Sequence, residues 1–555
     1  MTSNNIDNHY LNNLRAVITS SDDSISTYKE TINMNNNTQI SKQHSNLDSS
    51  ISLVDFPFSK LQENPYEINA NDKDVNSHED IIQEESTTNN ELPPDKGYAW
   101  VVVGSVFVIS VNTWGCNSAF GVFLSFFLSN NKFSGATRYD YALIAGLTVF
   151  LGQGLSAFAL IIMRIIGLKL TMYIGTVIMA AAFVLASFAT KLWHLYITQG
   201  FMIGVAIALV FTPATTLIPG WFLKRRALAV GLSILGTGAG GVTFSLASHK
   251  MMDNFGDTNM CYRMLAITCT VSIAIAVTLI KERKPVNPTG IKSFTKIKME
   301  FTKMFSWKII KKAYVFLIAL WFILAFYGYN LMVFTLSSYA VARGMSQHQA
   351  SSLTAILNGA QCVGRPIMGL IGDRYGHFNV TVCATGILCI LMFGFWIPAH
   401  TYVQLIFFSI MMGLFVGVAN VMSTVLISDM VTHEDFLPAW AFVNYSGSPS
   451  LLVTEVVAQA LTNPKNKTNP YLNTQIFAGC CYCAALIVIS ILRECAVRLK
   501  LTTGQENVSN KEDLCETKAP VHICETSEEI AIKHSNLLGS GIKKYFVRLI
   551  YPMKI

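Results

Sequence analysis

GLIGDRYG, residues 369–376, ends one long apolar run and precedes another, and the reading of the fold turns on it. Gly369, Gly372 and Gly376 let two helices approach closely and let the chain turn tightly, while Asp373 and Arg374 can pair and cap helix ends. A charged break this short between two membrane-length runs marks a junction of spans at a bilayer surface. Outward from it, runs long enough to cross a hydrocarbon core, which takes roughly 20 helical residues, fall near 99–127, 141–165, 168–190, 193–218, 227–249 and 262–280. A second set falls near 313–339, 349–371, 379–399, 402–428, 437–461 and 471–492. The expectation is an all-α membrane protein of twelve transmembrane helices in two six-helix halves.

Composition agrees. Of 555 residues 51% are hydrophobic and 14% charged, against roughly a quarter charged in a soluble domain. The polar residues concentrate at the ends, so the organisation reads as a disordered cytosolic tail (1–92), an N-terminal half (93–280), a connector (281–312), a C-terminal half (313–493) and a second tail (494–555). The first residues, MTSNNIDNHYLNNLR, lack the apolar core of a signal peptide, which keeps the N-terminus in the cytosol. The connector carries Lys284, Lys292, Lys296, Lys298, Lys303 and Lys308, as a cytosolic loop does under the positive-inside rule, and both termini are then cytosolic. The net charge of +7 is spread over such loops rather than along one helix face, which argues against nucleic acid as a partner. Seven of the twelve cysteines (Cys116, Cys362, Cys383, Cys389, Cys480, Cys481 and Cys483) fall in apolar runs, where the residue packs as a small hydrophobe, and no Cys/His set has metal-ligand spacing. No cofactor is implied, and no nucleophile–base pair in the spans suggests an enzyme.

The run at 369–376 resembles the G-x-x-x-D-R-x-G loop of the major facilitator superfamily, which latches neighbouring helices in one conformation; its counterpart in the first half is reduced to Arg164, Ile165, Ile166 and Gly167. Two more runs resemble the monocarboxylate transporter family. Asp95, Lys96, Gly97, Tyr98, Ala99 and Trp100 look like its D-G-G-[WY]-[GA]-W motif before span one, with Lys96 as a departure. WFLKRRALAVGLSILGTGAGG, residues 221–241, is similar to its span-five signature. Independently of the family, Lys224, Arg225 and Arg226 suit anionic headgroups, Trp100 and Trp221 suit the interface, and the glycines from Gly231 to Gly241 suit a close helix crossing.

The resemblance implies a major facilitator fold that binds a small-molecule substrate between its halves and exposes it alternately to the two sides of the lipid bilayer. An ionisable residue inside a span is costly enough to suggest function. Arg365, in QCVGRP, matches the V-[AG]-R-P element whose arginine binds the substrate carboxylate in that family, and a guanidinium fork suits carboxylates or imide-like carbonyls. An arginine locked to backbone carbonyls, or one snorkelling toward the interface, is the structural alternative. Proton-coupled members also carry an aspartate one turn earlier and a lysine in span one; here Gln361 and Ser118 occupy those places, and a glutamine exchanges no proton. Glu455 is the second charge within a span, with a proton site, a polar substrate contact and an outer vestibule all open to it. Asn112, Asn117, Tyr327, Tyr329, Asn330, Asn420 and Asn444 can hydrogen-bond or stack on a neutral polar group, and as a set they favour a larger, less acidic ligand than lactate. The resemblance, which extends to the family's fungal branch with its long polar tails and riboflavin-transporter-like members, implies substrates beyond simple monocarboxylates, with riboflavin or another ring-bearing solute expected ahead of lactate.

The reading is therefore a carrier in the plasma membrane rather than a vacuolar one, working by symport or facilitated diffusion, since no G-x-x-x-x-G-K-[ST] loop marks a primary pump. A non-transporting nutrient receptor on the same fold is its alternative. Sequons at Asn466–Thr468 and Asn379–Thr381, and a basic, aromatic run from Gly541 suited to an anionic leaflet, are weaker features.

Overall fold

The computed structural model describes residues 95–130, 132–133, 135–283, 287–290, 292–463 and 469–518. The tail 1–92, the sequon at Asn466–Thr468, the run from Gly541 and the side chain of Glu455 lie outside the described residues.

Among the described residues there is no strand, and twelve long helices follow one another. The first six are α1 (Tyr98–Phe127), α2 (Arg138–Gly154 continued as Ser156–Ile166), α3 (Leu168–Ala186), α4 (Leu192–Trp221), α5 (Arg226–Phe255) and α6 (Asn259–Leu279). The second six are α7 (Ala313–Ala342), α8 (Gln347–Tyr375), α9 (His377–Trp396), α10 (Tyr402–Met430), α11 (His433–Ala460) and α12 (Leu472–Lys518). Ten of them, counting the α2 pair bent by 47°, are long and apolar enough to cross a membrane. The other two, α8 and α11, are as long but more polar, and both border the central cavity. Leu170, Val177, Leu246, Ile267, Ile390 and Ile487 are exposed on the outside, where a bilayer would cover them. Helices outrun the apolar windows where polar residues continue the helix beyond the hydrocarbon: α12 extends to Lys518, well past residue 492.

Helix starts follow from local chemistry. Ser346 and Gln349 form a capping box at the start of α8, Thr401 and Gln404 one at α10, and Thr137 and Asp140 one at α2. The two halves repeat one device: Gly167 before α3 and Gly376 before α9 have φ of 96° and 98°, left-handed values that glycine adopts without cost. This equivalence places Arg164–Gly167 opposite the better preserved run in the other half. A connector helix, Phe294–Met304, lies between the halves in sequence, and its neighbours Thr289 and Gly290 donate backbone hydrogen bonds to Arg164 and Ile165.

The halves meet chiefly where α5 crosses α8 and α2 crosses α11. Glycine makes the first crossing possible: a Cβ on Gly231 would stand 2.6 Å from the Arg365 carbonyl oxygen, and one on Gly369 would collide with the Ala227 carbonyl. Gly236 and Gly240 play the same part against Phe107 and Val111 of α1, where α1 relaxes into a π-helical stretch over Val111–Gly115. α5 is thus wedged between α1 and α8 with its backbone almost touching both.

Candidate functional site

A cavity of about 1050 Å³ lies between the halves. Its lining reaches Leu124, Ser125, Tyr141, Val341, Ala342, Gln459 and Tyr471 at one end of the bundle. Toward the other end it narrows to Thr215, Ile218, Val230, Thr424 and Trp440. Its walls mix rings (Trp114, Phe120, Phe211, Phe322, Phe326, Tyr329, Phe334 and Trp440) with amides and hydroxyls (Asn117, Asn330, Asn358, Asn420, Asn444 and Ser423). Among the described lining residues Arg365 alone carries a charge.

Arg365 is 4% exposed. One guanidinium nitrogen donates to the Ile234 carbonyl at 2.8 Å and to the Thr237 hydroxyl, both on α5 of the opposite half; the other donates to Gln361 Oε1 at 2.7 Å, one turn back on α8. Gln361 in turn donates to Asn358 Oδ1 at 3.3 Å. Arg365 Nε has no hydrogen-bond partner, and Gly417 of α10 leaves room beside it, since a Cβ there would come within 2.7 Å of Arg365 Cγ. Among the described residues the cation is therefore held by neutral acceptors, with two of its five N–H donors unspent.

Beyond the narrow end, the halves are tied by a charged cluster. Asp373, at the end of α8, accepts the Ala227 and Leu228 backbone N–H groups at 2.9 Å each, occupying the N-terminus of α5 where the helix dipole favours an anion. His377 joins Asp373 at 3.1 Å to Asp429 at 2.6 Å, and Asp429 is bridged to Arg226 at 2.8 Å. Asp95 closes a second joint by accepting the N–H groups of Leu223, Lys224 and Arg225 at 3.0 to 3.3 Å.

The described residues thus form a cavity between two six-helix halves, with a charged cluster joining the halves beyond one end and one cation on its wall. The sequence profile of the Major Facilitator Superfamily matches residues 102–451. The chain belongs to this superfamily. As a major facilitator protein it is similar to two proteins of Saccharomyces cerevisiae. One is the uncharacterized transporter ESBP6, 57% identical over 482 residues that cover 86% of this chain and 71% of that one. The other is the probable transporter MCH2, 28% identical over 438 residues that cover 78% and 88%. Among solved structures, the major facilitator transporter FucP in its outward conformation superposes with a TM-score of 0.56 at 12% identity, covering 71% of this chain and 99% of that one, a likeness of fold. This major facilitator protein is a multi-pass membrane transporter.

The sequence-derived candidates divide in space. Arg365, Gln361, Asn117, Ser118, Tyr329, Asn330, Asn420 and Asn444 border the cavity. Tyr327 is absent from that wall: it lies about 100° around α7 from Phe326 and its ring meets Phe477 of α12 edge-on at 6.1 Å. Asn112 is buried and spends its amide on the Val108 carbonyl one turn away. Three anchoring expectations need correction. Trp221 is 1% exposed and donates to the Lys281 carbonyl at 3.1 Å, where the chain leaves α6. Arg226 turns inward to Asp429, leaving Lys224 and Arg225 exposed. Asp373 engages α5 and His377, while Arg374 stacks over Tyr375, so the two do not pair with each other among the described contacts. Gly97 precedes α1 with a φ of 58°, and Trp100 packs edge-on against Phe222 at 5.0 Å. Asn379 sits in the first turn of α9, bonded to Tyr375 and Arg493.

Sequence reasoning missed Thr237, Asn358, His377 and Asp429. Thr237, His377 and Asp429 are common polar residues that gain partners from the packing of distant helices, while Asn358 meets Gln361 one turn on along the same helix.

Proposed function

We propose that this protein carries a small organic solute that joins a carboxylate or imide-like group to a ring, by alternating access, in the manner of the monocarboxylate transporter branch. The observation that carries the reading is the position of Arg365. It is a fixed cation midway along α8, at the seam of the two halves, facing a cavity walled by aromatic rings. A carboxylate can accept from the guanidinium in place of its neutral partners, while a ring fills the space among Trp114, Phe211, Phe326 and Tyr329. A cavity of this size suits a ligand larger than lactate, since sites for drug-sized ligands run to roughly 300–1,000 Å³.

With both termini and the connector in the cytosol, the latch of Asp373, His377, Asp429 and Arg226 closes the cytosolic side and the cavity faces outward, the orientation proposed for a plasma-membrane importer or exchanger. Neutral Gln361 at the place of the family's aspartate supports transport in which this pair moves no proton. Two similar proteins bear transporter names, which favours flux over a receptor role. The test is uptake of labelled riboflavin, benzoate and lactate into vesicles holding the purified protein. Saturable entry of a ring-bearing compound ahead of lactate supports the reading, and entry of none of them above empty vesicles counts against it.

A further inference from the structure

The connector between the halves carries a surface that transport through the cavity does not use. Over residues 292–311 it holds six lysines (Lys292, Lys296, Lys298, Lys303, Lys308 and Lys311) against one acid, Glu300. All six are exposed, and none forms an ion pair among the described residues. Rings stand among them: Phe294 is 80% and Trp307 71% exposed. Exposed aromatic rings interleaved with unpaired lysines suit the zone where headgroups meet acyl chains better than open water.

The helix Phe294–Met304 has a definite seat. Ile297, Phe301, Met304 and Phe305 recur at helical spacing on one side. Met304 is buried there, and the Phe301 ring meets Phe158 of α2 at 6.3 Å. Phe305, just past the helix, touches both halves, its ring 5.8 Å from Phe158 and 5.7 Å from Tyr445 of α11. Thr289 and Gly290 tie the start of the connector to the end of α2, and the Lys312–Asp435 pair at 2.7 Å ties its end to the start of α11. Phe158 is itself 43% exposed, on an α2 face that a bilayer covers, so the helix is seated at the lipid-facing rim of the seam.

We propose that this connector helix is a docking site for anionic phospholipid headgroups, and that lipid held there braces α2 against α11 in the state described. The lysines meet the acidic headgroups of the leaflet, their stems lie along the apolar flank, and Trp307 and Phe294 enter at headgroup level. Because the same helix bears on both halves, whatever holds it down favours the arrangement in which Phe305 touches both. The inference is independent of Arg365 and of the substrate. Residues 63–91 of this chain, with nine Asp and Glu against one Lys, have a charge that complements the connector. They lack the acyl layer that the exposed rings call for, which favours lipid as the occupant.

The experiment uses the full-length protein in nanodiscs of phosphatidylcholine doped with a graded fraction of brominated lipid, whose bromine quenches nearby tryptophan. The Trp307 signal is the part of the emission that Trp307→Phe removes. Brominated phosphatidylserine should quench it with on the order of tenfold higher apparent affinity than brominated phosphatidylcholine. Raised salt should weaken that preference, and Lys296→Gln, Lys298→Gln, Lys303→Gln and Lys308→Gln combined should erase it while leaving quenching by phosphatidylcholine. Equal quenching of the wild type by the two lipids overturns the headgroup site. A preference that appears only after residues 1–92 are removed overturns it as well, and assigns the lysines to the acidic segment instead. The brace is read from spin labels at the latch-end tips of α2 and α11. Their close-distance population should rise about threefold or more as phosphatidylserine replaces phosphatidylcholine, and should stay fixed in the four-lysine variant. A lipid preference without that rise keeps the site and overturns the brace.

Discussion

Arg365 donates to the side-chain oxygen of Gln361 at 2.7 Å, one turn earlier on α8, so the cation at the centre of the carrier leans on an amide rather than a carboxylate. An amide orients the guanidinium and leaves its charge available, whereas a carboxylate at the same place would compete with an anionic substrate whenever it is ionised.

Gln361→Asp should therefore introduce a pH dependence that the wild type lacks. Above the pKa of the introduced carboxyl, the carboxylate pairs with Arg365 and uptake is low; as pH falls through that value the carboxyl is protonated, Arg365 is released and uptake rises. Initial rates across an external pH series check this, and a flat profile in the variant would remove Gln361 from the account of coupling.

The α5–α8 crossing predicts an effect of size alone. Gly231→Ala places a methyl 2.6 Å from the Arg365 carbonyl oxygen, which is backbone and cannot swing aside. Overpacking of this kind costs about 1–3 kcal/mol. The latched state should lose that much stability, with a matching fall in melting temperature and in flux, while Gly121→Ala, which meets no atom within 4 Å, should behave as wild type.

Asp373 holds two backbone donors of α5 and the ring of His377. Asp373→Asn keeps the shape but loses the charge and one acceptor, and hydrogen bonds to charged groups contribute roughly 1.5–3 kcal/mol. The variant should shift the resting population toward the state open at the latch end. Accessibility of a cysteine introduced beside Thr424 to a membrane-impermeant reagent, added from the latch side, reads the shift; unchanged accessibility would mean that the latch does not set the resting state.

Much of this architecture could be read from the residues because lipid leaves few choices: a helix must satisfy its own backbone, and a run of the right length and apolarity has one use. Arg365 stood out for the same reason, as a charge where charge is costly. Its surroundings did not. Thr237 lies 128 residues away in sequence, and a threonine in a glycine-rich helix carries no mark of its partner. Tyr327 and Tyr329 look alike as letters, yet helical phase turns one toward α12 and the other into the cavity. Trp221 reads as an interface anchor until its ring is found buried, donating to the Lys281 carbonyl. Periodicity finds the face of a helix; the neighbour on that face is a property of tertiary packing.

The ring-lined wall predicts selectivity. Phe326, which borders the cavity and stacks on Phe322 at 5.2 Å, should matter for riboflavin or benzoate and little for lactate. Aromatic pairs contribute about 0.5–1.5 kcal/mol beyond burial, so Phe326→Ala should raise the KM for the ring-bearing compound up to about tenfold and leave that for lactate nearly unchanged. Equal effects on both would argue that the ring binds elsewhere.

The most direct test of the central claim is the initial rate of labelled benzoate uptake by wild type and Arg365→Ala, at equal amounts of protein reconstituted in vesicles preloaded with unlabelled benzoate. The account predicts that the variant reaches the membrane, keeps its helical content and loses nearly all uptake, because the solute has lost the fixed charge of Arg365. Full uptake by Arg365→Ala would contradict it.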